Sequence, residues 1–166
     1  MKKNKSILES FKNAVCGIWY AFLSEKNLRF HFMIASLIEI FAYFFGISRV
    51  EWAVLIFTIA LVFFAELINT ALENAVDTAT REYSATAKLA KDISAGAVLV
   101  AALFSVIIGF ILFFDIEKIT KTLVLIFTTP KILVGCLLVG IIDLIFLIFG
   151  GKRDTELIER KTNNDK

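Results

Sequence analysis

One proline, one histidine and two cysteines stand in the 166 residues of this chain, and each scarcity excludes something. With a single imidazole, and with Cys16 and Cys136 far apart in unlike segments, neither a His/Cys zinc pattern nor a C-x-x-C redox pair is present. HExxH, GxSxG and GxxxxGK[ST] are missing, as are the glycine-rich and catalytic-loop signatures of protein kinases. That sets aside zinc hydrolysis, elbow-type serine chemistry and P-loop nucleotide binding. The net charge of +2 is too small to argue for a nucleic-acid partner. The opening MKKNKSILESFKNA is charged, has neither an apolar core nor a small-residue cleavage site, and is not expected to act as a signal peptide.

Polarity is the other shortage. The chain is 58% hydrophobic with 17 phenylalanines and a mean hydropathy of +0.76, against about 45–50% apolar residues in ordinary soluble domains. An all-α integral membrane protein follows. Residues 6–24 carry Ile7, Phe11, Val15, Ile18 and Trp19 at helical spacing among Glu9, Lys12 and Asn13, which predicts an amphipathic helix lying in the membrane interface. A polar knot of Glu25, Lys26, Asn27 and Arg29 precedes the first span, Phe30 to Ile47, whose helical length of about 27 Å nearly matches a hydrocarbon core of about 30 Å. Glu39, near its middle, is expected to bond a neighbouring helix, with a polar cavity as the alternative. The second span runs from Trp52 to about Ala79. The third runs from Ile93 to Phe114, capped by Lys91 and Asp92 after the polar stretch Thr80 to Ala90, read as a loop or as a helical continuation with a turn near Ser84. A second interfacial helix is expected over residues 116–127. A fourth span follows from Ile132 to Phe149, with Thr129-Pro130 as its N-cap pair and Asp143 inside it. The tail from residue 151 is polar.

Within the second span, Glu66, Asn69, Glu73 and Asp77 fall at spacings of three, four and four, within an arc of roughly 80° at about 100° per residue. An ionisable group at membrane depth costs about 2.5–3.5 kcal/mol on insertion scales, so a functional site is the first reading. The bland alternative is interhelical glue, or a helix end leaving the bilayer. Lysine and arginine number six before the first span, three in the second loop and five in the tail, against one and three in the other connections. The positive-inside rule therefore places the N-terminus, the second loop and the tail in the cytoplasm. Glu25, the outer end of the acidic stripe, Lys91 and Asp92 then share the side where ATP is. Acids, an amide and a lysine suit Mg²⁺ and phosphate: the cation takes one or two carboxylates plus phosphate oxygens, a lysine offsets charge on the transferring group, and a further carboxylate can accept a proton from an alcohol.

Three segments resemble the prokaryotic diacylglycerol kinase family of small membrane-integral lipid kinases. AELINTALENAVD is similar to its E-x-x-N-[ST]-A-x-E-x-x-x-D signature, AKDISAGAVL to its Lys-Asp block, and SFKNAVCGIWYAFLSEKNLRFH to its N-terminal helix, together spanning about residues 10–114. The resemblance implies an ATP-dependent kinase acting on a membrane lipid hydroxyl, in the cell membrane with its site at the cytoplasmic interface. It also implies a homotrimer with active sites shared between subunits. By position, Glu66 would be the general base, Glu25 and Glu73 would hold Mg²⁺, and Asn69 would position phosphate or metal. Asp77, Lys91 and Asp92 would bind nucleotide, and Arg29 would be either a nucleotide contact or an interface anchor. Ala14 stands where some members carry serine.

Residues 1–114 would then be the kinase domain, 115–150 an interfacial helix plus the fourth span, and 151–166 a cytoplasmic tail. The extension lies beyond the family's three-helix pattern and is expected to be dispensable for chemistry. YAF-x-x-E-x-N-x-R and Glu51-Trp52 look closest to the Gram-positive branch, so undecaprenol is the expected acceptor and diacylglycerol the alternative. A cation-coupled transporter is the competing class; it would want acids spread across the bilayer as a path. A purely structural membrane protein would leave the acidic stripe unexplained.

Overall fold

A computed structural model of the chain describes residues 6–79 and 84–151. The described residues form α1 (Ile7–Ser24), α2 (Lys26–Phe45), α3 (Arg49–Ala79), α4 (Ala85–Phe113), α5 (Ile116–Thr128) and α6 (Pro130–Phe149), with no strand among them.

Short polar side chains set most of the boundaries. Ser6 Oγ accepts from the Glu9 N–H at 3.2 Å, Ser84 Oγ from the Ala87 N–H at 3.4 Å, and Asp115 Oδ1 from the Lys118 N–H at 2.9 Å, each satisfying an orphan donor of a first helical turn. Ser48 and Glu51 exchange bonds, Ser48 N–H to Glu51 Oε2 at 2.6 Å and Glu51 N–H to Ser48 Oγ at 3.3 Å, a capping box that starts α3. Gly46 closes α2 in the left-handed conformation, φ 69°, with its N–H donating to Ala42 O at 3.0 Å. A side chain there would be strained.

One expectation changes. Lys91 and Asp92 do not cap the third span: the helical continuation forms, Ser84 caps it, and Lys91 and Asp92 lie in the second turn of α4. Thr129 is the N-cap of α6 and Pro130 falls in its first turn, as expected, without a side-chain cap bond. Residues 80–83 of the expected loop, and the tail beyond residue 151, lie outside the described residues.

α2, α3, α4 and α6 are each long and apolar enough to cross a membrane. α3 and α4 form an antiparallel pair, and α2 packs on α3, α5 and α6. At one end Ala42, Phe45, Ile47 and Leu55 form a buried cluster, with Trp52, Phe113 and Ile119 packed against it. The rings of Phe41 and Phe45 meet Phe113 edge-on at 5.4 and 5.3 Å. Elsewhere large apolar side chains such as Phe57, Phe64, Phe104 and Phe110 face outward, as expected where the solvent is lipid. α1 joins this bundle through its last turn, where Ala21 and Leu23 are buried. Residues 7–20 are uncovered on every side, including Ile7, Phe11 and Trp19.

Glu39 departs from another expectation, because among the described residues it makes no hydrogen bond to a neighbouring helix. It is exposed on the side of α2 that carries Phe32 and Tyr43, seven residues before and four after it, both exposed too. Asp143 is buried in α6, and its Oδ2 has no hydrogen-bond partner among the described residues.

Candidate active site

The polar face of α3 is graded. Glu66 is 2% exposed and Asn69 7%, Glu73 is half-buried, and Asp77 is exposed. The gradient follows the helix out of the bundle, since Glu66 lies where α1 and α2 still cover α3 and Asp77 lies beyond them. The α1–α2 elbow supplies the cover. Glu25 is the single residue between the two helices, extended at φ −96° and ψ 115°. Its carboxylate and that of Glu73 lie within electrostatic reach of Glu66, while the Asn27 amide faces the Glu66 carboxylate. Three acids from two elements therefore converge on one end of the α2–α3 pair.

Asn69 links this cluster to α4. Its Nδ2 donates to Glu73 Oε1 at 3.2 Å and its Oδ1 accepts from Ser94 Oγ at 2.6 Å. The amide orientation is fixed by that pairing, because only the NH₂ can donate to a carboxylate and only the oxygen can accept from a hydroxyl. Further out, Lys91 Nζ meets Asp77 Oδ1 at 2.7 Å, with the two side chains 32% and 68% exposed, and Glu73 also lies within its electrostatic reach. A pair that open is worth less than about 1 kcal/mol, so little holds the ammonium if a phosphate competes for it.

Of the residues singled out in the sequence, Glu25, Glu66, Asn69, Glu73, Asp77 and Lys91 are thus brought together. Asp92 is not. It is exposed, next to Lys91 in sequence but turned by about 100° around α4, and it makes no hydrogen bond or ion pair among the described residues. Arg29, 6% exposed, is spent on main-chain carbonyls: Nη1 donates to Phe22 O at 2.9 Å and Leu23 O at 2.6 Å, and Nε to Leu147 O at 3.4 Å. Asn27 and Ser94 are the two site residues that sequence reasoning did not single out. Ser94 was readable in principle, three residues after Lys91 and so on its helix face. Asn27 was not, because its placement depends on the bend at Glu25.

Among the described residues, no three His, Cys, Asp or Glu side chains are grouped closely enough to cage an ion by themselves. Mg²⁺ dehydrates reluctantly and is held by one or two carboxylates plus phosphate oxygens, whereas a structural zinc needs a closed protein shell.

Four spanning helices, with an acid–amide–lysine cluster built on three of them and the elbow before them, define a multi-pass helical membrane protein with this polar cluster at one end of the bundle. The family model for prokaryotic diacylglycerol kinase matches residues 12–113, and the chain belongs to this family of membrane lipid kinases. An undecaprenol kinase of Bacillus subtilis (strain 168) is 40% identical over 105 residues, 63% of this chain and 85% of that protein. A diacylglycerol kinase of Synechocystis sp. is 42% identical over 105 residues, 63% of this chain and 60% of that protein. A diacylglycerol kinase of Haemophilus influenzae is 29% identical over 109 residues, 65% of this chain and 92% of that protein. No solved structure matches the chain. α5 and α6 lie beyond the family match.

Proposed function

We propose that the chain transfers the γ-phosphoryl group of ATP to undecaprenol, as a homotrimer in the cell membrane with its site at the cytoplasmic interface. The observation that carries this reading is the convergence of Glu25, Glu66 and Glu73 beside Asn69 and Lys91 at one end of the spanning helices. The lipid's hydroxyl oxygen attacks the γ-phosphorus, the bond from that phosphorus to the β–γ bridging oxygen breaks, and ADP leaves. Glu66 accepts the hydroxyl proton. Its burial beside Asn27 keeps bulk water from the base and so favours an alcohol arriving from the bilayer over hydrolysis.

Glu25 and Glu73 would hold Mg²⁺, which when bound offsets charge on the transferring phosphoryl group and the leaving diphosphate. Asn69, fixed between Glu73 and Ser94, orients the Glu73 carboxylate. Lys91 and Asp77 sit at the open end and bind the nucleotide, the ammonium exchanging Asp77 for phosphate oxygens. Asp92 and the largely open outer faces of α4 support the trimer: Asp92 would serve the site of a neighbouring copy. Apolar Ile7, Phe11 and Trp19, uncovered by the rest of the chain, suit α1 to the interface, and the lysine and arginine distribution supports a cytoplasmic site.

The Bacillus relative supports undecaprenol, since its match covers most of that protein. Diacylglycerol is the second reading, supported by the Synechocystis relative at similar identity. Reconstituted protein offered both lipids together with γ-labelled ATP, followed by thin-layer separation, tests the choice. Label is expected in undecaprenyl phosphate. Label mainly in phosphatidic acid would establish the second reading, and an absence of lipid-dependent ATP consumption would sink both.

A further inference from the structure

Arg29 and the C-terminal extension meet at the elbow that carries Glu25. The guanidinium, from the first turn of α2, ties two helix ends together, bonding carbonyls of the last turn of α1, at Phe22 and Leu23, and one near the end of α6, at Leu147. Helix C-termini present unpaired carbonyls and the negative end of the helix dipole, so a buried cation there satisfies both. The fit is close. A Cβ added at Gly151, just past α6, would lie 2.6 Å from Leu23 O and 3.2 Å from both Arg29 Nη atoms. Rings continue the joint, with Phe22 edge-on to Phe32 at 5.8 Å and Phe32 to Phe146 at 6.2 Å. The extension also grips the far end of α2, where Lys118 Nζ donates to Gly46 O at 3.3 Å and lies 4.4 Å over the Phe45 ring.

We propose that the C-terminal extension belongs to the catalytic unit: α5 and α6 brace α2 at both ends, and the α6 terminus, through Arg29, sets the position of Glu25. Arg29 is a positioning residue in this arrangement, and the expectation that the extension is dispensable is replaced. Glu25 has no helical backbone of its own and no side-chain cap bond. Its place is therefore set by the two helix ends that Arg29 clamps, and its carboxylate lies within electrostatic reach of both Arg29 and Glu66. The inference rests on the reading of Glu25 as a divalent-cation ligand in the kinase site.

Gly151→Val tests it without touching any site residue, because it wedges the α6 terminus off the elbow. Gly135→Val, where a Cβ meets nothing within 4 Å, is the control. In the purified full chain, Mn²⁺ binding is read from the paramagnetic resonance of the free ion, alongside the Mg²⁺ dependence of lipid phosphorylation and the thermal midpoint. Gly151→Val should weaken Mn²⁺ binding about 10-fold, the lower end for loss of an outer-shell partner of a metal ligand. It should raise the Mg²⁺ needed for half-maximal rate in parallel, with kcat at saturating Mg²⁺ within about 2-fold and the thermal midpoint near that of the unaltered chain. If valine prevents folding, Gly151→Ala carries the same offending Cβ and should show the same split. A folded Gly151 variant with unchanged Mn²⁺ affinity overturns the proposal, as does an equal loss in Gly135→Val. So does a lack of Mn²⁺ binding by the unaltered chain. A weakened Mn²⁺ site in a protein that phosphorylates neither lipid would support the brace and sink the kinase reading.

Discussion

Replacing Glu66 by glutamine should make the protein more stable and nearly inactive, and the two effects have separate causes. Glu66 is 2% exposed and shares its surroundings with the Glu25 and Glu73 carboxylates, so in the ionised cluster it carries repulsion that the Asn27 amide offsets only in part. Glu66 and Glu73 stand seven residues apart on one helix face, about 10.5 Å along the axis. At an effective dielectric constant near 20, two unit charges at that distance repel by about 1.6 kcal/mol. Glu25 adds a comparable amount, so neutralising Glu66 in place should stabilise the chain by about 1.5–3 kcal/mol. With roughly 2–4 °C per kcal/mol for a protein of this size, the thermal midpoint should rise by about 3–12 °C. The glutamine keeps the volume and can still face Asn27, so no cavity offsets the gain. It cannot take the hydroxyl proton, and kcat should fall by about 10²–10⁴ if general-base catalysis has its usual size. Calorimetric titration with a non-hydrolysable ATP analogue should find nucleotide binding largely kept, because the base is not a nucleotide ligand. A lower thermal midpoint would show that Glu66 is a satisfied structural acid, and an unchanged kcat would remove it from the chemistry.

Glu73→Gln should fail differently: Mg²⁺-ATP binding weakens and extra Mg²⁺ restores part of the rate, whereas loss of kcat with binding intact would reverse the roles of the two acids. Lys91→Met should lower nucleotide affinity while moving the thermal midpoint by less than about 3 °C, because its exposed pair with Asp77 is worth under about 1 kcal/mol; a large drop in stability with unchanged nucleotide binding would make the pair a structural clasp. Single cysteines at Lys121 and Asn163, with Cys16 and Cys136 replaced, should label from opposite sides of the membrane, and labelling from the same side would remove the fourth span.

Hydrophobic length and local capping chemistry carried most of the fold into the sequence. Runs long enough to cross a bilayer can form little but helices, and Ser6, Ser84 and Asp115 each stand where an N-cap belongs. The sequence leaves the start of α4 open between Ser84 and Lys91-Asp92, because the latter pair resembles a polar boundary. Propensity alone does not stop a helix at two charged residues, and Ala85, Ala87 and Ala90 favour its continuation. The stripe on α3 was legible because one element carries it at a fixed period. What joins that stripe to the rest was not. Asn27 and Glu25 reach Glu66 through a bend at one residue, and Arg29 bonds a carbonyl 118 residues away. No periodicity encodes contacts of that range, and Arg29 reads equally as a ligand or an anchor until its acceptors are seen. Glu39 misled for the opposite reason. Its depth in a span implied a partner, but depth does not say which side of α2 its own chain covers.

Helix length decides why the acids lie at one end and not along a path. α3 has 31 residues and α4 has 29, about 46 and 43 Å as helices, against a hydrocarbon core of about 30 Å. About 20 residues cross that core, so a span entered at Trp52 reaches the far interface near Ala71. Glu66 and Asn69 then fall in the last turns inside it, with Glu73 and Asp77 beyond, which is the order of their burial. On the proposed reading, a lipid hydroxyl held at the interface would meet Glu66 from the bilayer side, and a nucleotide would meet Lys91 and Asp77 from the water side. A cation pathway would instead need acids in register through the thickness of the membrane. The two remaining acids within spans do not provide it, since Asp143 is enclosed in α6 while Glu39 faces outward from α2. On the proposed reading the surplus length of the α3–α4 pair would have a chemical use: it would carry one continuous helix face from the solvent of one substrate into that of the other.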